Sequence, residues 1–258
     1  MQTIFLAVLF AAFLFVGILG CMRLGWRIGR KRLQSLGEDS QAGLGTIDGA
    51  VFGLMGLLIA FTFTGAASRF DARRSLITEQ TNAIGTAWLR LDLLADPERE
   101  KARDGFRSYV DTQMEIVRSA GNSEAVQAGL NRLSTIQQEI WATLIQAVRN
   151  DKSLPLSQTV LQPTNEMFDL STTRLMAAQQ HPPLAVFVML SVLVLVSGLL
   201  AGYGMAKSER QSTLHQFGFA AIMAFSVYLI LDIEYPRLGL VRIDSFDQSI
   251  IELRKSMN

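Results

Sequence analysis

The chain has 258 residues, 49% of them apolar and 18% charged, with a formal net charge of +1. Soluble domains carry about 25% charged residues, and the mean hydropathy here is +0.26, so a wholly soluble globular protein is excluded. A single cysteine rules out an intrachain disulfide, and two histidines leave little for a His/Cys metal site. Near-zero net charge argues against nucleic acid as a partner, because such binders present a basic footprint.

Four windows reach the roughly 20 apolar residues that cross a bilayer. Residues 3–22 carry no charge, and residues 47–67 carry only Asp48 near their start. Residues 184–206 are uncharged, and residues 214–231 have His215 at their edge. The second and fourth are shorter or richer in small and polar residues, so a buried soluble helix is their alternative. A signal peptide competes for the first window, and Ile18-Leu19-Gly20-Cys21 resembles a lipoprotein cleavage box. Yet no Lys or Arg precedes that window, and the run Arg23, Arg27, Arg30, Lys31, Arg32 follows it. That order suits a retained anchor flanked by positive charge.

Four spans place two short loops on one side, A, and the long insert with both termini on the other, B. Side A carries seven basic residues: Arg23, Arg27, Arg30, Lys31, Arg32, Lys207 and Arg210. Close to the span ends, side B carries six: Arg69, Arg73, Arg74, Arg174, Arg237 and Arg242. The dense first loop leans towards side A being cytoplasmic.

The insert, residues 68–183, has 13 basic and 14 acidic residues. It reads as helix throughout, without alternating β-branched runs. The second span is predicted to run on without a break towards Asp96-Pro97, interrupted only by Gly85. Such a helix of about 45 residues would be about 68 Å long and would project well past the bilayer. Asp96-Pro97-Glu98 predicts a new helix start with Pro at its first position. That helix should stop near Gly121-Asn122-Ser123. The next covers about 123–150, with Leu130, Leu133, Ile136, Ile140, Trp141 and Leu144 as its apolar stripe. Residues 151–162 are predicted as a loop, and a last helix from Pro163 should end at His181-Pro182-Pro183. The insert has few aromatics and no stacked basic-aromatic groove, which again argues against nucleic acid.

Candidate functional residues cluster in and around the second span. Gly45, Gly49, Gly53, Gly56, Ala60, Thr64 and Ala67 form a small-residue stripe that allows close helix approach in lipid. It can pack on a helix of the same chain, or between subunits around a central pore. Beside it run Phe52, Met55, Ile59 and Phe63, with Leu57 and Phe61 across from them. In a pore, rings of these side chains would form a dewetting constriction; otherwise they would face lipid. At the exits of the second and fourth spans, Arg69, Arg73 and Arg74 share a side with Asp232 and Glu234. Ionisable groups at a bilayer boundary need partners, so Asp232 or Glu234 is expected to pair with Arg69 or Arg73. Interfacial solvation, or basic groups concentrating anions at a pore mouth, are the other readings. His181 and His215 fall on opposite sides and cannot share a metal. No phosphate loop, nucleophile elbow or zinc helix is present. We expect no catalytic residues, no metal and no cofactor.

The strings GAVFGLMGLLIAFTFTGAASRFDARRSLITEQTNAIGTAWLRLDLL, HPPLAVF, LLAGYGMA and LDIEYPRLGLVRIDSFDQ resemble the bacterial bestrophin-like family of membrane proteins, from about Gly45 to the C-terminus. More distantly the layout is similar to bestrophins, pentameric anion channels whose second membrane helix lines a pore with a hydrophobic neck. The resemblance implies that, with Arg69 as the aligned exit, Leu57 and Phe61 lie near the neck. Bestrophins also carry an acidic calcium-binding cluster after the last span. Here Asp244, Asp247 and Glu252 are scattered, so calcium gating is not implied. The resemblance puts side B in the cytoplasm, against the loop-charge lean, and we adopt its orientation.

The expected protein is an all-α membrane protein with four transmembrane helices and a helical extramembrane domain between the second and third. Its parts are residues 1–67 (two spans and a basic loop), 68–183 (the domain), 184–232 (two spans) and 233–258 (a tail). The expected function is an oligomeric, pentameric ion channel of a bacterial inner membrane, with anions favoured over cations. Its partners would be the lipid bilayer, further copies of itself and permeant inorganic ions. The rivals are a non-conducting sensor or scaffold whose helical domain binds a partner, and a lipid-acting enzyme using Asp232, Glu234 and the arginines.

Overall fold

The computed structural model describes residues 2–36, 44–151, 154–208, 212–236, 240–241 and 243–257. Arg210, Arg237 and Arg242 lie outside them, as do the side chains of Asp244 and Asp247. The elements among the described residues are helical: α1 (Gln2–Leu36), α2 (Leu44–Arg90), α3 (Glu98–Arg118), α4 (Ser123–Asp151), α5 (Leu154–Gln179), α6 (Leu184–Gly204), α7 (Thr213–Glu234) and α8 (Asp244–Ser256). Short 3-10 turns follow α2 at Leu91–Leu93 and α6 at Met205–Lys207. The chain divides into two units. One comprises Met1–Ser68 with His181–Val241, and the other Arg69–Gln180 with Arg242–Asn258.

Among the described residues four helices are long and apolar enough to cross a membrane, and their apolar stretches lie in the first unit. In lipid, helices cannot be driven together by hydrophobicity, so close backbone approach must hold them. The contact of α1 with α6 is built that way. A Cβ on Gly25 would run into the Leu199 carbonyl, and one on Gly202 into the Met22 carbonyl. A Cβ on Gly17 would meet the Leu195 side chain at 3.0 Å, and one on Gly198 would stand 3.1 Å from Ile18. Leu14, Ile18 and Met22 of α1 and Leu190 and Val194 of α6 are buried. The Phe15 ring meets Phe217 of α7 edge-on at 5.8 Å.

The second unit is a helical bundle with a continuous apolar core. Ile77, Ile84, Ala87 and Leu91 come from the α2 side, Phe106, Tyr109 and Val110 from α3, and Ile140 and Leu144 from α4. Val160 and Met167 of α5 and Ile250 of α8 complete it. The predicted α4 stripe faces this core at Leu133, Ile136, Ile140 and Leu144, while Trp141 stands at its edge. Asn122 caps α4, its Oδ1 accepting the N–H groups of Glu124 at 3.1 Å and Ala125 at 3.2 Å. The C-terminal segment closes on this bundle through α8. Arg254 donates bidentately to Asp111 at 2.8 and 3.0 Å, and Arg107 donates to the Met257 carbonyl at 2.8 Å.

Two boundaries differ from expectation. Pro97 occupies the cap position, so Glu98 opens α3 one residue later than predicted. The predicted 151–162 loop is corrected: α5 begins at Leu154, and Pro163 lies inside it. A proline mid-helix removes the N–H that would bind the carbonyl four residues back, here that of Thr159. The Arg90 guanidinium takes that carbonyl at 3.0 Å. A helix with an interior proline is thus tolerated because a neighbouring helix supplies the missing donor.

Candidate functional site

The membrane part of α2 has two dissimilar faces. Towards the rest of its unit it turns Met55, 5% exposed, and the buried Ala66, and Phe52 meets the Phe219 ring of α7 edge-on at 6.4 Å. The opposite face repeats at helical spacing through Gly53, Gly56, Leu57, Ala60, Phe61 and Thr64, all exposed. Leu57 is 51% exposed and Phe61 66%, and Phe63 flanks them at 39%. A Cβ on Gly49, Gly53 or Gly56 would meet nothing within 4 Å among the described residues. This separates them from Gly25 and Gly202, whose close approach is satisfied inside the protomer. Thr62 turns its hydroxyl back onto the Leu58 carbonyl, one turn earlier. α2 then continues as one unbroken helix to Arg90, 47 residues in all; at about 1.5 Å per residue it measures about 70 Å.

Asp232, Glu234, Arg73 and Arg74 each make polar contacts with residues of their own unit. Asp232 is buried at the end of α7. Its carboxylate accepts the N–H groups of Leu240 at 2.9 Å and Val241 at 2.8 Å, and the Tyr228 hydroxyl at 3.1 Å. It thereby fixes the chain that leaves the last span. Glu234 is 0% exposed, and its Oε1 lies 3.1 Å from His181 Nδ1. The His181 ring stacks on Tyr235, 4.7 Å between centroids. In the second unit, buried Arg73 donates to the carbonyls of Ala177 at 3.1 Å and Gln180 at 2.7 Å, capping the C-terminus of α5. Arg74 pairs with Asp71 at 3.1 Å and lies over the Phe70 ring.

The His181–Glu234 contact was missed in the sequence, although its signal was present. The His-Pro-Pro break puts His181 at the start of the third span, on the side where the fourth span ends at Glu234. Among the described residues no group of His, Cys, Asp and Glu could hold a metal ion.

This architecture defines a multi-pass, all-helical membrane protein with a helical unit inserted between its second and third spans. A family model for the Bestrophin-like domain matches residues 12–245, and the chain belongs to the bestrophin-like family. No curated protein and no solved structure matches the chain.

Proposed function

We propose that the chain is one subunit of a pentameric ion channel whose pore is lined by α2 and which favours anions. The observation that carries this reading is the bare face of α2. A membrane helix with Gly49, Gly53, Gly56 and Ala60 along one side is shaped for close helix neighbours, and the described residues of the protomer supply none there. Copies packed through these residues would turn the adjoining Leu57 and Phe61 towards a shared axis. Rings of these two side chains make a narrow apolar neck that opens and closes to water. Met55, Ile59 and Phe63 would stand behind or beside that neck. Arg69, Arg73 and Arg74 follow at its mouth, where a positive field raises the local anion concentration. Pairing of Asp232 or Glu234 with Arg69 or Arg73 belongs to the same proposal and is tested by a charge swap. Membership of the bestrophin-like family supports a channel, and the inner membrane of a bacterium is its proposed location.

Purified protein reconstituted in planar bilayers tests the proposal. It predicts single channels whose reversal potential follows the chloride gradient. Absence of any flux, or a monomer in detergent, would overturn it. A non-conducting scaffold draws support from the exposed Leu89 and Leu93 at the end of the α2 side of the bundle, 69% and 55% exposed. A stable partner captured through that bundle, together with silent bilayers, would favour it.

A further inference from the structure

We propose that the membrane-boundary end of α1 binds the phosphate headgroup of an anionic phospholipid; this does not depend on the channel reading. The first apolar window ends at Met22, but α1 stays helical to Leu36. Over that extension Arg23, Arg27, Arg30 and Lys31 recur at i, i+4, i+7 and i+8, which is one helix face. No Asp or Glu occurs anywhere in α1. Among the described residues Arg23, Arg27 and Lys31 meet no carboxylate partner.

The opposite face is committed to packing. A Cβ on Gly25 would strike the Leu199 carbonyl, and one on Gly29 would stand 2.6 Å from the Ala206 Cβ. The helix therefore cannot turn its cations inward. Beside the cationic face, Leu24 and Ile28 leave about half their surface open. An open groove of about 440 Å³ runs between these aliphatic side chains and the cations. Trp26 closes one wall: its ring lies under the Arg30 guanidinium at 5.1 Å, and its Nε1–H is buried without an acceptor among the described residues. The cations supply the countercharge for a phosphate, and Leu24 with Ile28 offers a wall for the first acyl carbons. Basic clusters at the end of a membrane helix attract anionic lipids in this way.

Native mass spectrometry of the full-length protein, released from micelles containing equal phosphatidylglycerol and phosphatidylcholine, tests the proposal. Wild type should retain phosphatidylglycerol in preference by about tenfold or more, and Arg27→Gln/Arg30→Gln/Lys31→Gln should abolish that preference. Arg118→Gln/Arg149→Gln, far along the chain on α3 and α4, should leave it intact. Equal retention of the two lipids by wild type, or an unchanged preference in the triple variant, would overturn the site. So would thermal stabilisation by inorganic phosphate alone that equals that by phosphatidylglycerol, since the groove would then serve a soluble anion.

Discussion

Pro163 lies within α5 and leaves the Thr159 carbonyl without its helical donor, and Arg90 fills the vacancy at 3.0 Å. The two residues should therefore be coupled. Arg90→Gln should destabilise the second unit by about 1.5–3 kcal/mol, since hydrogen bonds from charged donors lie in that range. Adding Pro163→Ala should recover much of the loss, because the restored N–H takes the carbonyl back. A double-mutant cycle in chemical denaturation measures the coupling, and strict additivity would refute it. Tyr109 presents the reverse case. Its ring fills the core against Phe168 at 6.0 Å, but its hydroxyl lies near Gln80, Ser171 and Gln137 without forming a hydrogen bond. Burial raises the phenol above its ordinary value, with those neighbours and Arg174 pulling weakly the other way. The folded protein thus holds this proton more tightly than the unfolded chain. That contribution is fully present below about pH 10, the unfolded value, and is lost as pH rises through the higher folded value. Tyr109→Phe should leave stability at pH 7 within about 1 kcal/mol and make unfolding less sensitive to alkali. Titration of thermal stability between neutral and alkaline pH checks both.

Glycines along the membrane helices separate two kinds of contact. Gly25 and Gly202 sit where α1 and α6 backbones meet, and any side chain there strikes a carbonyl. Gly25→Val or Gly202→Val should cost at least about 2 kcal/mol and reduce folded yield. Gly53→Val and Gly56→Val face open space among the described residues of the protomer. They should leave its helical content intact while lowering the assembled mass, which light scattering in detergent reads directly. Equal damage from both pairs would mean that the α2 stripe is buried after all. The same contrast shows what a sequence displays and what it hides. The spans, the unbroken α2 and the stops around Asn122 and His-Pro-Pro follow from apolar length, propensity and capping, all local properties. The glycine periodicity of α2 is visible in the sequence, whereas only the fold shows that Gly25 and Gly202 lie against carbonyls and that Gly53 and Gly56 meet nothing within 4 Å among the described residues. The loop predicted at residues 151–162 gives way to helix from Leu154, and Pro163 is accommodated inside it. The compensating donor, Arg90, lies 69 positions earlier in the chain. His181 and Glu234 meet across 53 positions, which no periodicity encodes.

At the scale of the whole molecule, one unit carries the membrane spans and the other a helical bundle, and α2 belongs to both. Its N-terminal part lies in the first unit and its residues from Arg69 onward in the second. The family assignment covers residues 12–245, which includes both units. The central claim is that α2 segments from several subunits surround a water-filled path at Leu57 and Phe61. Cysteine modification during conduction tests it most directly. In a Cys21→Ser background, Leu57→Cys and Phe61→Cys are introduced singly, with Phe5→Cys as an exposed control on α1. A charged, membrane-impermeant thiol reagent is then applied while current is recorded. The account predicts block at Leu57→Cys and Phe61→Cys and none at Phe5→Cys. Undiminished current through channels bearing either α2 cysteine, after the reagent has been given full access from both sides, would contradict it.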